Sequence, residues 1–138
     1  MTKEEKLQEI FTTAWNGLKS QGFERSIIMV PASISTDSMI ASCRYRGPDG
    51  MRCAIGWCIP DEAYDTSIEG RSAGHDSILR ILGVETENHD DNEYVWMVGA
   101  LSRLQSCHDN ADEFNGMEKE LRFFAEEYKL QVPGWATS

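Results

Sequence analysis

Leu7, Ile10, Phe11, Ala14 and Leu18 recur at the spacing of one helix face, with Thr2 and Glu5 in a capping-box pattern before them and Gly22 suited to a C-terminal cap. A first helix follows from that pattern. The short apolar run 27–30, closed by Pro31, predicts an edge strand, and the Ser/Thr-rich stretch from Ser33 to Ser38 a loop. Tyr94, Met97, Val98, Leu101 and Leu104 mark one face of a helix over 92–108, and Met117, Leu121, Phe124, Ala125 and Tyr128 mark another over 117–129. Between them and the first helix, Asp76 is placed to cap a short helix through Ser77–Leu82 that Gly83 ends, after a loop Gly70-Arg-Ser-Ala-Gly74. Pro60-Asp-Glu-Ala-Tyr64 suits a turn or a single helical turn.

Two strand-like runs, 39–46 and 51–59, flank Gly47-Pro-Asp-Gly50. Proline presets the first central position of a type I turn, aspartate suits the next, and glycine accepts the left-handed conformation of a bulge, so the segment reads as a β-hairpin. In that register Arg46 faces Arg52, Tyr45 faces Cys53 and Cys43 faces Ile55. One face then carries Met39, Ala41, Cys43, Tyr45, Cys53, Ile55 and Trp57, the other Arg44, Arg46 and Arg52 among small residues. The whole chain, 1–138, reads as one α+β domain: an N-terminal helix, a hairpin that a third strand could extend into a small antiparallel sheet, and a mostly helical C-terminal half.

Composition narrows the class. With 41% hydrophobic and 26% charged residues the chain supports a packed core, and no apolar run has membrane-spanning length. The start of the sequence has no apolar signal-peptide core, so a cytoplasmic location is expected and Cys43, Cys53, Cys58 and Cys107 are expected as reduced thiols. The formal charge of −10 is uneven: residues 1–58 carry six acids and seven bases, residues 59–138 seventeen acids and six bases. Such a field repels duplex DNA and favours a partner with a basic surface, unless the acidity only keeps the domain soluble. Asp61, Glu62, Glu85, Glu87, Asp90, Asp91 and Glu93 are the candidate binding acids, and Arg44, Arg46 and Arg52 the candidate anion-binding or internally neutralised bases. Trp57 and Trp96 suit the core, whereas Trp135 in the C-terminal tail suits an exposed anchor.

Catalytic signatures are weak. Each histidine precedes an aspartate (His75-Asp76, His89-Asp90, His108-Asp109), a pairing that in larger helical bundles ligates divalent metals for phosphoester hydrolysis. Zinc would need convergence of Cys43, Cys53 and Cys107 or His108 without any C-x-x-C knuckle, and buried cysteines are the simpler reading. A Cys107–His108 nucleophile has only Arg103 nearby to lower the thiol pKa, and neither Gly70-x-x-x-Gly74 nor Gly47-x-x-Gly50 is followed by the lysine and hydroxyl of a P-loop. No catalytic residue, metal or cofactor is assigned.

The stretch Cys43-x-Tyr45-Arg46-x-Pro48-Asp49-Gly50-x-x-Cys53-Ala54-Ile55-Gly56, with Ile59-Pro60-Asp61-Glu62-x-Tyr64, Glu69-Gly70 and Leu104-Gln105-x-x-His108-Asp109, resembles uncharacterised accessory proteins of bacteriophages and prophages. The resemblance covers about residues 43–130 and brings no activity. It implies an origin among small proteins that inhibit or modify host machinery. The expected function is therefore a phage-type inhibitor, anti-CRISPR-like or otherwise anti-defence, binding a host protein or ribonucleoprotein through surface electrostatics. Two alternatives stand beside it: a small metal-dependent phosphohydrolase using the His-Asp pairs, and a homo-oligomeric sponge whose arginines enclose a phosphorylated signalling molecule.

Overall fold

The structure, a computed structural model, describes residues 2–31, 39–111 and 116–133; the side chains of residues 40 and 41 are not among those described. Helix α1 spans Lys3–Ser20, strands β1 and β2 span Ile27–Pro31 and Met39–Cys43, and α2, α3 and α4 span Asp76–Ile81, Asn92–Asp109 and Met117–Tyr128. Four single 3-10 turns lie between β2 and α2. The class is α+β as the patterning predicts, with an N-terminal helix, an antiparallel strand pair and a mostly helical C-terminal half. No helix among the described residues is long and apolar enough to cross a membrane. The predicted Ser33–Ser38 loop and Trp135 lie outside the described residues.

α1 begins with the capping box: Glu5 N–H donates to Thr2 Oγ1 at 3.1 Å while the Glu5 carboxylate accepts from Thr2 N–H. It ends in a Schellman motif. Phe23 N–H reaches Leu18 O at 2.8 Å and Gly22 N–H reaches Lys19 O at 3.0 Å, which requires the left-handed φ of +70° that Gly22 adopts without steric cost. The buried face Leu7, Ile10, Phe11, Ala14, Trp15 and Leu18 meets α3 through Met97, Leu101 and Leu104 and α4 through Leu121, Phe124 and Ala125, with Phe11 stacked on Phe124. α2 is capped by His75, whose Nδ1 accepts from Ser77 N–H at 3.1 Å; the expected cap, Asp76, is the first helical residue and is engaged elsewhere.

The hairpin lies elsewhere than the turn chemistry suggests. β2 pairs with β1, Cys43 opposite Ile27 and Met39 opposite Pro31, so the edge strand over 27–31 is real. The run 51–59 is not a strand. Only the start of the expected register survives, as an isolated Arg46–Arg52 bridge and a Gly47 N–H to Met51 O bond of 2.8 Å. Asp49 takes φ +59°, beside Gly50 at +76°, instead of the right-handed value of a type I turn. Past Cys53 other partners capture the backbone: Gln105 Oε1 accepts from Ile55 N–H at 3.1 Å, and Trp57 N–H and Cys58 N–H turn back to Cys53 O and Ile55 O. Gly56 lies against the Tyr45 carbonyl, where a Cβ would sit 2.1 Å from the oxygen. A strand there would lose all these contacts.

Two glutamines of the N-terminal segment act as surrogate peptide groups. Gln21 accepts from Arg52 N–H at 3.0 Å and donates to Arg52 O at 2.7 Å, while also bonding Trp57 Nε1 and Glu24 O. Gln8 donates to Gln131 O at 2.9 Å and accepts from Gln131 N–H at 2.7 Å. Each amide mimics one rung of a β-ladder and ties a distant chain segment to the region of α1.

Candidate functional site

The three arginines sit beside carboxylates of their own chain. Asp61 receives Arg46 at 2.7 Å and Arg52 at 3.4 Å, so one anion lies between the two opposed guanidiniums and removes their repulsion. Arg46 also donates to Ile59 O and lies over the Tyr64 ring, and Arg52 lies over Trp57. Glu62 is exposed and takes no part in an ion pair among the described residues. Arg44 is held more loosely: its Nε is 3.6 Å from Glu69, too far for a hydrogen bond, and like Arg46 Nε is buried with no acceptor among the described residues.

Glu69 is the organising residue that sequence reading missed. Its side chain is 6% exposed, and it accepts from Tyr45 N–H at 2.8 Å, Arg46 N–H at 3.1 Å and Tyr64 hydroxyl at 2.7 Å. Two backbone donors that leave β2 unpaired by any strand are thus satisfied by a charge from the loop after the 3-10 turn at Thr66–Ile68. The only signal in the sequence was its place in the motif beside Gly70.

Among the described residues, the metal-capable group whose ligand atoms lie within 4.8 Å of one another is Cys43, His108 and Asp109. Cys53 and Cys107 do not join it: Cys53 Sγ accepts from Gly56 N–H, and Cys107 donates to the carbonyls of Arg103 and Glu120. The histidine is fully buried and both its nitrogens are committed. Ser26 N–H can only donate, so Nε2, at 2.8 Å, is the acceptor; the proton is assigned to Nδ1 and goes to Asp109 Oδ1 at 2.9 Å. An ion on Nδ1 would drive that proton to Nε2, against Ser26 N–H, and an ion on Nε2 would displace Ser26. The donors fit a hydrogen-bonded staple between β1, β2 and α3 better than a metal centre.

Nor are the thiols set for nucleophilic work. Burial pushes Cys43 to about 11 and Cys53, Cys58 and Cys107 each to about 12, from an ordinary 9.0, with Asp109 adding to the rise at Cys43. All four are free thiols. Of the other His-Asp neighbours only one cross pair forms among the described residues: His89 Nε2 meets Asp76 at 2.8 Å and stacks on Tyr94, whose hydroxyl also donates to Asp76 and holds that carboxyl below its usual range, while His75 Nδ1 accepts from Ser77 N–H.

Glu85, Glu87, Asp90, Asp91 and Glu93 are all exposed, and none takes part in an ion pair among the described residues. Their backbone is nevertheless fixed. Glu85 accepts from Thr86 and Glu87 N–H, Asn88 from Asp90 N–H, and Asp91 caps α3 through Glu93 N–H at 2.7 Å. Glu85, Asp91 and Glu93 line a cleft of about 400 Å³ together with Lys3 and Lys6. A second cleft, about 340 Å³, opens beside Arg44, Arg71, Ser72, Ser102 and Asp109. In comparison with known proteins, the chain matches no family model, no curated protein and no solved structure.

Proposed function

We propose that this chain acts by binding, as a small acidic accessory protein of the phage type its motif resembles, working in the host cytoplasm. Its 85–93 surface engages a basic patch on a host protein or ribonucleoprotein and inhibits it, in the manner of an anti-CRISPR or other anti-defence inhibitor. One observation carries this reading: the arginines of the 44–52 segment stand beside their own chain's carboxylates, while the five carboxylates of the 85–93 segment make no ion pair among the described residues, Lys3 and Lys6 sharing a cleft with three of them without pairing. The anionic surplus faces outward on a loop held by side-chain caps, so little ordering entropy opposes association. A channel lined by Lys and Arg for nucleic acid is the complementary surface.

Pull-down from host lysate over a salt series tests it, with wild type beside Glu87→Lys/Asp90→Lys. Both positions are exposed, so the variant keeps its fold. Expected are captured partners that dissociate as salt rises and that the variant does not retain. Capture indifferent to both salt and charge reversal rejects the mechanism.

A further inference from the structure

We propose that the cleft between the 70–74 loop and α3 binds a small organic phosphate, its phosphoryl group held by the loop with Arg44 and Arg71 and one hydroxyl of its carbon skeleton held by Asp109. This site is separate from the acidic 85–93 surface and does not depend on it.

The loop is built to leave donors free. Gly70 takes φ +85°, and Gly74 lets the backbone close on α3, where a Cβ would stand 2.9 Å from Val98 Cγ1 and 3.4 Å from Ser102 Oγ. The Arg71 carbonyl is consumed by the Tyr45 hydroxyl, whereas Gly70, Ser72 and Ala73, which line the cleft, have N–H groups with no acceptor among the described residues. Arg71 N–H is spent on Ile68 O, and the adjacent free donors of Ser72 and Ala73, with Gly70 before them, can form an anion-binding concavity without a P-loop lysine. Ser72 and Ser102 also line the cleft, and their hydroxyls have no hydrogen-bonding partner among the described residues.

Two guanidiniums supply charge. Arg71 is exposed; its guanidinium bonds the Ser77 hydroxyl and makes no ion pair among the described residues. Among the described residues Arg44 has only its long contact with Glu69, whose oxygens are already occupied by two backbone N–H groups and the Tyr64 hydroxyl. Both have donors to offer a tetrahedral oxyanion, for which arginine geometry is well suited. Asp109, on the far wall, makes a bare anion an incomplete occupant. A carboxylate has about four lone-pair sites; His108 and Gln105 both donate to Oδ1, which leaves acceptor capacity at Oδ2 for a donor on the ligand. The volume suits a sugar phosphate or a mononucleotide.

Calorimetric titration of the full chain with ribose 5-phosphate, inorganic phosphate and ribose tests this. Expected are saturable binding of ribose 5-phosphate about tenfold tighter than inorganic phosphate, no binding of ribose, and a loss of about tenfold in Arg71→Ala. Arg71 is exposed, so the variant is checked for unchanged circular dichroism. Absence of saturable binding, unchanged affinity in Arg71→Ala, or equal binding of ribose and its phosphate overturns the site. Equal affinity for the two phosphates overturns the organic ligand.

Discussion

Asp61 and Glu69 both face arginines, yet they differ in weight. Asp61 has the closer ion pair, 2.7 Å, but its side chain is 79% exposed, where water screens the charges and the net contribution is about 0 to 1 kcal/mol. Glu69 has only a 3.6 Å contact with its arginine but is 6% exposed and satisfies two backbone N–H groups and a phenol. Replacing one of its oxygens with an NH2 group turns an acceptor against a donor. Glu69→Gln is therefore expected to lower unfolding stability by about 2 kcal/mol and Asp61→Asn by less than about 1 kcal/mol, measured by urea denaturation. Equal effects would show that exposure does not rank these two carboxylates.

At the scale of elements, α1 and the 3-10 turn at Gly56–Cys58 are joined through a glycine. A Cβ on Gly17 would lie 2.2 Å from Trp57 Cδ2. Alanine in a helix interior is worth about 1 kcal/mol over glycine, so the two effects oppose each other. Gly17→Ala is expected to destabilise the wild type but to stabilise Trp57→Ala by about 1 kcal/mol, a reversal of sign that a double-mutant cycle reads directly. Destabilisation in both backgrounds would place the cost in the helix itself.

The helices were legible because their signals are local: Thr2 with Glu5, Gly22, and the apolar positions of α3 and α4 all lie within a few residues of what they specify. The G-P-D-G segment was legible only in part: it correctly set Arg46 against Arg52, but Asp49 is left-handed and no strand follows. The fate of 53–59 was not, because it depends on Gln21 and Gln105, side chains 31 and 50 residues from the backbone groups they capture. Strand propensity carries no information about such partners. The site divided likewise: exposed acids could be read from composition, while Glu69 and the Ser26–His108–Asp109 staple emerge only when separate segments meet.

Over the whole molecule, thiol burial sets a response to alkali. In the folded chain the cysteines keep their protons to about 11 or 12, whereas in the unfolded chain they ionise near 9.0. Stability is thus fully present below pH 9.0 and declines as pH rises through the window up to the folded values. For Cys53 and Cys107, each 1% exposed, the slope is on the order of 1.4 kcal/mol per thiol per pH unit. Urea midpoints between about pH 8 and 11 are expected to fall steeply, and a Cys53→Ala/Cys107→Ala variant to show a shallower decline. Parallel profiles would exclude these two thiols as the cause.

The couplers at the two ends of the N-terminal segment, Gln8 to Gln131 and Gln21 to Arg52, are neutral amides pairing with peptide groups. Mobile ions screen charges and leave such pairings almost untouched. Brine that strips a cationic ligand from the outer carboxylates therefore leaves the scaffold latched, and a released ligand reports rupture at the surface instead of collapse beneath it.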